Sequence, residues 1–69
     1  LDDTQRLAAL QLRAQVRGME LPAEVARYIL HRGPRQLDPL FEILSRLDRA
    51  SLSAKRKLTI PFVKQALEW

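Results

Sequence analysis

The chain has 69 residues, which is enough for one small domain and too few for two. It has no cysteine and one histidine, so disulfides and cysteine-bound zinc are excluded, no metal site is expected, and a reducing compartment is favoured. The net charge of +4 permits binding to nucleic acid without specifying it, and a solvated basic surface is the more common meaning. We expect a soluble protein, because no segment resembles a membrane span or a signal peptide.

The first predicted helix covers residues 3–17. Asp2 and Gln5 have the spacing of a capping box, and Gly18 can adopt the left-handed conformation that ends a helix. Two apolar stripes lie on roughly opposite sides: Leu7, Leu10 and Ala14 on one, Ala9, Leu12 and Val16 on the other, with Arg6, Arg13 and Arg17 in a gap between them. The second stripe meets either a neighbouring helix or another domain, and the pattern leaves both open.

A second helix is predicted from Pro22, in its first turn, to Gly33, which ends it in the manner of Gly18. Val25 and Ile29 are expected to face the core. His31 is expected to be a cation at the C-terminal end of this helix rather than a catalytic base, because no carboxylate or nucleophile is placed to work with it.

The stretch 37–52 has the cleanest helical period, and we predict a central helix there against which the others pack. Its apolar stripe is Leu40, Ile43, Leu44, Leu47 and Ala50. Pro39 is compatible with this helix if the first turn begins between residues 36 and 38. The run Lys55–Lys57 follows in a loop and is a weak nucleic-acid signal.

A last helix is predicted after a cap at Thr59 or Ile60, with Pro61 in its first turn. Its apolar side is expected to contain Phe62, Val63, Ala66, Leu67 and Trp69. No strand pattern of useful length is present. The predicted architecture is therefore a compact all-α domain of four helices over residues 1–69, with sequential helices side by side.

The chemistry of an enzyme is missing from the pattern. Gly18 and Gly33 are the only glycines and each lies at a helix end, so there is no glycine-rich phosphate loop. No acidic cluster and no nucleophile with a base can be recognised. We therefore predict no catalytic residue, no metal and no cofactor within these residues, and no enzyme activity for the domain alone.

Residues 7–30 and 40–67 resemble the C-terminal lid of the DnaA-related AAA+ proteins, and within that group the Hda-type regulators of replication initiation. The motifs that carry the resemblance are ALQLRA (9–14), RGMELP (17–22), LDRAS (47–51) and RKLTIPFVK (56–64). The resemblance implies a bacterial cytoplasmic protein longer than this chain, as the start at Leu1 instead of Met also suggests. It also implies a larger α/β domain with Walker motifs and an arginine finger, over whose ADP or ATP the lid closes.

The resemblance also implies partners. Hda-type proteins bind the sliding clamp through an N-terminal motif and stimulate hydrolysis of the ATP bound to DnaA. The lid would contact the larger domain of its own chain, and association with further copies stays open. Contact with a membrane or directly with DNA is not expected. One stripe of the first helix would close the lid core while the other rests on the larger domain, so some of Leu7, Leu10, Leu12 and Val16 should form an exposed interdomain surface.

The sequence departs from the family at sensor 2, the arginine that contacts the nucleotide phosphates. Alignment on LFEILSRLDRAS places this arginine at position 38, where the chain has Asp38, and a carboxylate there would repel phosphate. Arg35, three residues earlier, either supplies the missing charge or is an ordinary surface residue, and we favour the second. Arg35 and Asp38 are the candidate nucleotide-binding residues.

Two other functions fit the composition. A DNA-binding domain would use the cations Arg13, Arg17, Lys55, Arg56 and Lys57 on phosphates. No helix, however, has the cluster of exposed Arg, Asn and Gln that reads bases beside a tight turn. A general helical protein-interaction module fits the physics equally well, and only the resemblance argues against it.

Overall fold

The computed structural model describes residues 2–69, and it contains four α-helices and no strand in that part of the chain. Helix α1 spans Asp3–Arg17, α2 Ala23–Arg32, α3 Leu37–Ala54 and α4 Ile60–Leu67. The all-α four-helix prediction is confirmed. Across the described residues, no helix combines the length and the apolar composition that a membrane crossing requires.

Helix α1 begins and ends as its local sequence predicts. The Asp2 carboxylate accepts a hydrogen bond from the Gln5 backbone N–H at 2.8 Å, and the Gln5 side-chain oxygen accepts one from the Asp2 N–H at 3.1 Å. Gly18 has φ +76° and donates its backbone N–H to the last turn. These bonds satisfy backbone groups that a helix end leaves without an intrahelical partner.

Gly33 ends α2 as predicted, but the start of the helix and the conformation of Gly33 differ from the prediction. Pro22 is the residue before the helix rather than in its first turn, and Gly33 has φ −90°, so it does not adopt the left-handed conformation. Gly33 is needed for another reason: a Cβ there would lie 2.7 Å from the Ile29 carbonyl oxygen and 3.3 Å from Leu40 Cδ2. The Ile29 contact is the decisive one, because a backbone carbonyl of α2 cannot move aside as the Leu40 side chain can.

The four helices pack mainly in the cyclic order α1, α2, α4, α3, so that each has two principal neighbours. The prediction that all other helices pack on α3 is therefore wrong, since α2 packs mainly on α1 and α4. Sequential helices are neighbours at the first and third connections, whereas the second connection crosses the bundle. The core residues, contributed by all four helices and the last loop, are Leu10, Ala14, Val25, Ala26, Ile29, Leu40, Leu44, Leu47, Leu58, Phe62 and Val63.

Two details of α3 and α4 refine the sequence pattern. In the α3 stripe, the three leucines are fully buried, whereas Ile43 and Ala50 are half-buried. Thr59 caps α4, as predicted, by accepting a hydrogen bond from the Phe62 backbone N–H at 3.2 Å. Trp69 lies beyond the end of α4, where its ring packs on Tyr28 with the ring centroids 6.0 Å apart. It covers the bundle from the chain end rather than from the helix face.

Candidate functional site

In the structure, one stripe of α1 faces the core and the other faces solvent. Leu10 and Ala14 are buried, whereas Leu12 is 61 % exposed and Val16 is 76 % exposed. Leu7 is half-buried at the edge of the core. The predicted exposed apolar patch is therefore present in this chain. Leu10, at 0 % exposure, is a core residue and must be removed from the predicted interdomain surface.

The gap between the two stripes of α1 contacts α3 through two arginines. The Arg17 guanidinium donates to the Asp48 carboxylate at 3.0 Å, and the Arg13 guanidinium lies 4.9 Å from the centroid of the Phe41 ring. Both arginines lie in the gap between the stripes and hold that side of α1 on α3. Leu12 and Val16 are turned away from the bundle because Leu10 and Ala14, on the opposite stripe, are buried in the core. Leu52, near the end of α3, is also strongly exposed.

The start of α3 contains the candidate nucleotide-binding residues. Arg35 and Asp38, together with Arg6, Gln36 and Leu37, line an open depression of about 390 Å³. Both candidates are exposed, and neither makes a side-chain hydrogen bond or ion pair with another residue in the range 2–69. The structure thus brings the two residues together at one surface, with opposite charges side by side.

Arg6 is the residue at this surface that the sequence interpretation missed. It is only 3 % exposed and is the one buried charged residue among those that the structure describes. Its guanidinium donates to the Asp3 carboxylate at 2.9 Å and to the Pro34 backbone carbonyl at 3.0 Å. The helical pattern placed Arg6 with Arg13 and Arg17 in a polar gap. The spacing of three residues from Asp3 was the available signal, but it points only to the local ion pair.

A second, larger depression of about 620 Å³ lies between the start of α1 and the end of α2. Its lining combines apolar and charged side chains: Asp3, Thr4, Leu7, Arg27, Leu30 and His31. His31 is exposed in the last turn of α2, in the position predicted for it. Asp3 lines this larger depression, and Arg6, to which Asp3 is bonded, lines the depression at the start of α3. The first turns of α1 therefore separate the two depressions.

The charge balance limits what the α3 depression can do. Arg35 and Asp38 carry opposite charges, and the Arg6 guanidinium is already bonded to a carboxylate and a carbonyl. A phosphate placed there would gain less attraction than from an arginine at position 38, because like charge at close range offsets the favourable term. The arrangement suits contact with a ligand or partner held mainly by other groups.

Comparison with known protein families agrees with the fold and with the sequence motifs. A family model described as "Hda, lid domain" matches residues 3–67, which includes all four helices and both candidate surfaces. The match covers nearly the whole chain. This chain therefore belongs to the Hda lid domain family.

Proposed function

We propose that this domain is the lid of an Hda-like AAA+ regulator of DNA replication initiation. In this role it closes over ADP or ATP held by a larger AAA+ domain of the same protein and contributes protein–protein contacts with DnaA. The observation that carries the proposal is the exposed apolar stripe of Leu12 and Val16, on a helix whose opposite stripe already buries Leu10 and Ala14 in the domain's own core.

The stripe is suited to docking against another apolar surface. Burying a valine or leucine completely is worth about 1.5–3 kcal/mol relative to exposure. Leu12 and Val16 lie one turn apart and each keeps more than half of its surface in water, so most of that gain is still available. Ala8 and Ala9 lie one turn before Leu12, and their small side chains let a partner approach the helix backbone there.

The nucleotide-facing end would be the one that holds both depressions, where α1 begins, α2 ends and α3 begins. The opposed charges of Arg35 and Asp38 favour a lid that closes mainly through apolar docking and only weakly through phosphate contact. In this proposal Arg35 is the one cation of the α3 depression left free for the nucleotide. ADP or ATP is the ligand of the whole protein rather than of these residues alone.

The partners proposed follow from membership of the family. They are the larger AAA+ domain, DnaA and the sliding clamp, in the cytoplasm of a bacterium. The clamp contact would be made by an N-terminal motif outside these residues. Association with further copies of the protein would use another surface, such as the loop before α4, because the exposed face of α1 is assigned to the larger domain.

A role in direct DNA binding is less well supported. Of the cations that would contact phosphates, Arg17 is paired with Asp48, Arg13 stacks on Phe41, and Arg56 lies 5.4 Å from the centroid of the Phe62 ring. These arginines stabilise contacts within the domain. Strong duplex binding with a steep loss of affinity between low and moderate salt would favour the DNA-binding alternative.

Thiol labelling tests the docking proposal directly. The 69 residues contain no cysteine, so Val16→Cys introduces a single thiol into the lid. In the whole protein, freed of other reactive thiols, we expect maleimide to label Val16→Cys at least about tenfold more slowly than Arg46→Cys, because docking would cover position 16. Arg46 is exposed on the outer side of α3 and is the matched control. Equal labelling rates would contradict docking through this stripe.

A further inference from the structure

The loop between α2 and α3 is held from two sides. On one side, Gly33 lies against Ile29 and Leu40 so closely that a Cβ would collide with the Ile29 carbonyl oxygen. On the other, the carbonyl of Pro34 accepts the 3.0 Å hydrogen bond from the Arg6 Nη2 group of α1. Within residues 2–69, this bond and the Arg17–Asp48 pair are the side-chain hydrogen bonds that join distant parts of the chain.

Burying the Arg6 side chain at this position costs free energy. Its guanidinium is almost completely removed from water, and its Nε group is buried without a hydrogen-bond partner among the described residues. Its ionic partner is a carboxylate that is itself 83 % exposed, so water weakens the attraction between them. An apolar side chain of similar size would generally stabilise such a position at least as well. Stability alone therefore does not account for Arg6, and its fixed bond to the loop suggests a positional role.

We propose that Arg6 is a positioning residue for the start of α3. By holding the Pro34 carbonyl, the guanidinium fixes the four residues that follow, and these include Arg35 and Asp38 at the depression. The fork of the guanidinium matters because one side chain must donate to Asp3 and to Pro34 in a single orientation. The arginine thus sets the height and direction of the α3 start relative to α1, from which the exposed stripe also projects.

The consequence is a mechanical connection between the two candidate surfaces. The stripe that would dock on a larger domain lies on α1, and the residues that would face the nucleotide begin α3. Arg6 belongs to α1 and is bonded to the loop that begins α3, so the two surfaces keep a fixed relation when the lid moves. This meaning for the nucleotide rests on the proposed function, whereas the ordering of the loop by Arg6 does not.

The test measures backbone order in the whole protein without nucleotide. Amide ¹⁵N relaxation is recorded for residues 35–38 and, as an internal reference, for α4, in the unmodified protein and in Arg6→Met, Arg6→Lys and Arg46→Met. Methionine preserves the apolar bulk and removes the donors, lysine preserves the charge, and Arg46→Met is the matched control on an exposed face. A thermal unfolding curve of each variant records overall stability separately.

We expect order parameters of about 0.85 for residues 35–38 in the unmodified protein and below about 0.6 in Arg6→Met, with α4 unchanged. Arg6→Lys should fall between the two, and Arg46→Met should match the unmodified protein. The proposal is overturned if residues 35–38 are already mobile in the unmodified protein. This measurement can be made even if Arg6→Met does not fold. It is also overturned if Arg6→Met leaves them ordered or loosens α4 equally.

Failure of this inference and failure of the proposed function can be told apart. The relaxation experiment contains no nucleotide and no partner, so its result concerns the loop alone. A lid that never approaches a nucleotide would still show the Arg6 effect. A lid whose stripe docks, as seen by thiol labelling, would still lack the effect if the loop were ordered by Gly33 and α3 alone.

Discussion

The two stripes of α1 are nearly identical in composition and entirely different in use. One presents Leu10 and Ala14 to the core, where both are buried, and the other presents Leu12 and Val16 to water. Both stripes have helical spacing, and both belong to the same helix, which is capped at both ends. The difference arises from the neighbours: α2 and α3 cover one side of α1, and none of the described residues covers the other.

This contrast shows that an apolar stripe predicts burial against some surface but does not say whether that surface belongs to the same domain. The first stripe finds its partner inside the domain and contributes to folding. The second is available for a partner outside the residues described here, and its two large side chains do not contribute to the core. Equivalent substitutions on the two stripes should therefore separate stability from association.

The largest expected effect is the difference in stability between substitutions on the buried stripe and on the exposed stripe. Leu10→Ala should lower the free energy of unfolding by about 2–5 kcal/mol, because it leaves a cavity in the core. Leu12→Ala, the same change two residues later, should stay within about 0.5 kcal/mol of the unmodified chain. Urea denaturation of the domain measures both. Similar losses for the two variants would mean that the second stripe is already buried in solution.

A second substitution tests how much of lid closure depends on charge rather than on the exposed stripe. Asp38→Arg replaces a carboxylate beside the proposed phosphate position with the arginine that the sequence resemblance implies there. We expect the dissociation constant for ADP in the whole protein to fall about tenfold, or about 1.4 kcal/mol. Glu42→Arg, with the same change in charge one turn along α3, is the control and should change it by less than twofold. Equal effects would indicate a general effect of net charge.

A third substitution acts on the scaffold that carries both stripes. Asp2→Ala removes the carboxylate that accepts the Gln5 backbone N–H in the α1 capping box, and should cost about 1 kcal/mol of unfolding free energy. Thermal or urea unfolding is the measurement. Thr4→Ala, an exposed change inside the first turn, should be neutral or slightly stabilising because alanine is the better helix former. If Asp2→Ala were as mild as Thr4→Ala, the first turn would not be held by this cap.

The smallest expected effect concerns the ion pair that joins α1 to α3 beside the exposed stripe. Arg17→Met removes the 3.0 Å ion pair with Asp48, which is partly exposed on both sides. The loss should be about 0.2–1 kcal/mol at low salt and should fade near 1 M salt, where screening acts over about 3 Å. Arg49→Met on the outer face of α3 is the control for loss of a cation. A salt-independent loss would indicate that packing of the Arg17 stem matters more than its charge.

Local signals predicted both ends of α1 and the starts of α3 and α4 correctly. The bounds of α1, the placement of Pro39 within the first turn of α3 and the Thr59 cap of α4 all depend on residues within a few positions of one another. The same is true of the period that predicted the buried leucines of α3. Hydrogen bonds at helix ends and the spacing of side chains along one helix are local properties, so the sequence alone was sufficient for them.

The candidate surfaces were proposed from the sequence, and their role stays a prediction. The motif alignment pointed to Arg35 and Asp38, and the structure places both at one depression. The helical wheel pointed to two apolar stripes on α1, but it could not say that Leu10 belongs to the core and Leu12 to the surface. Arg6 was missed because the residue that explains it, Pro34, lies 28 positions away and takes part through a backbone carbonyl. A backbone acceptor leaves no trace in the residue pattern.

What the sequence determined by itself was the set of helices, their caps, the apolar stripes and the family to which the domain belongs. Only the tertiary structure decided which stripe is buried, which helices are neighbours, why Gly33 must lack a side chain and which charged residue enters the interior. The physical reason is the range of the interactions. Helix formation is governed by contacts within about four residues, whereas burial depends on surfaces that meet only after the chain has folded.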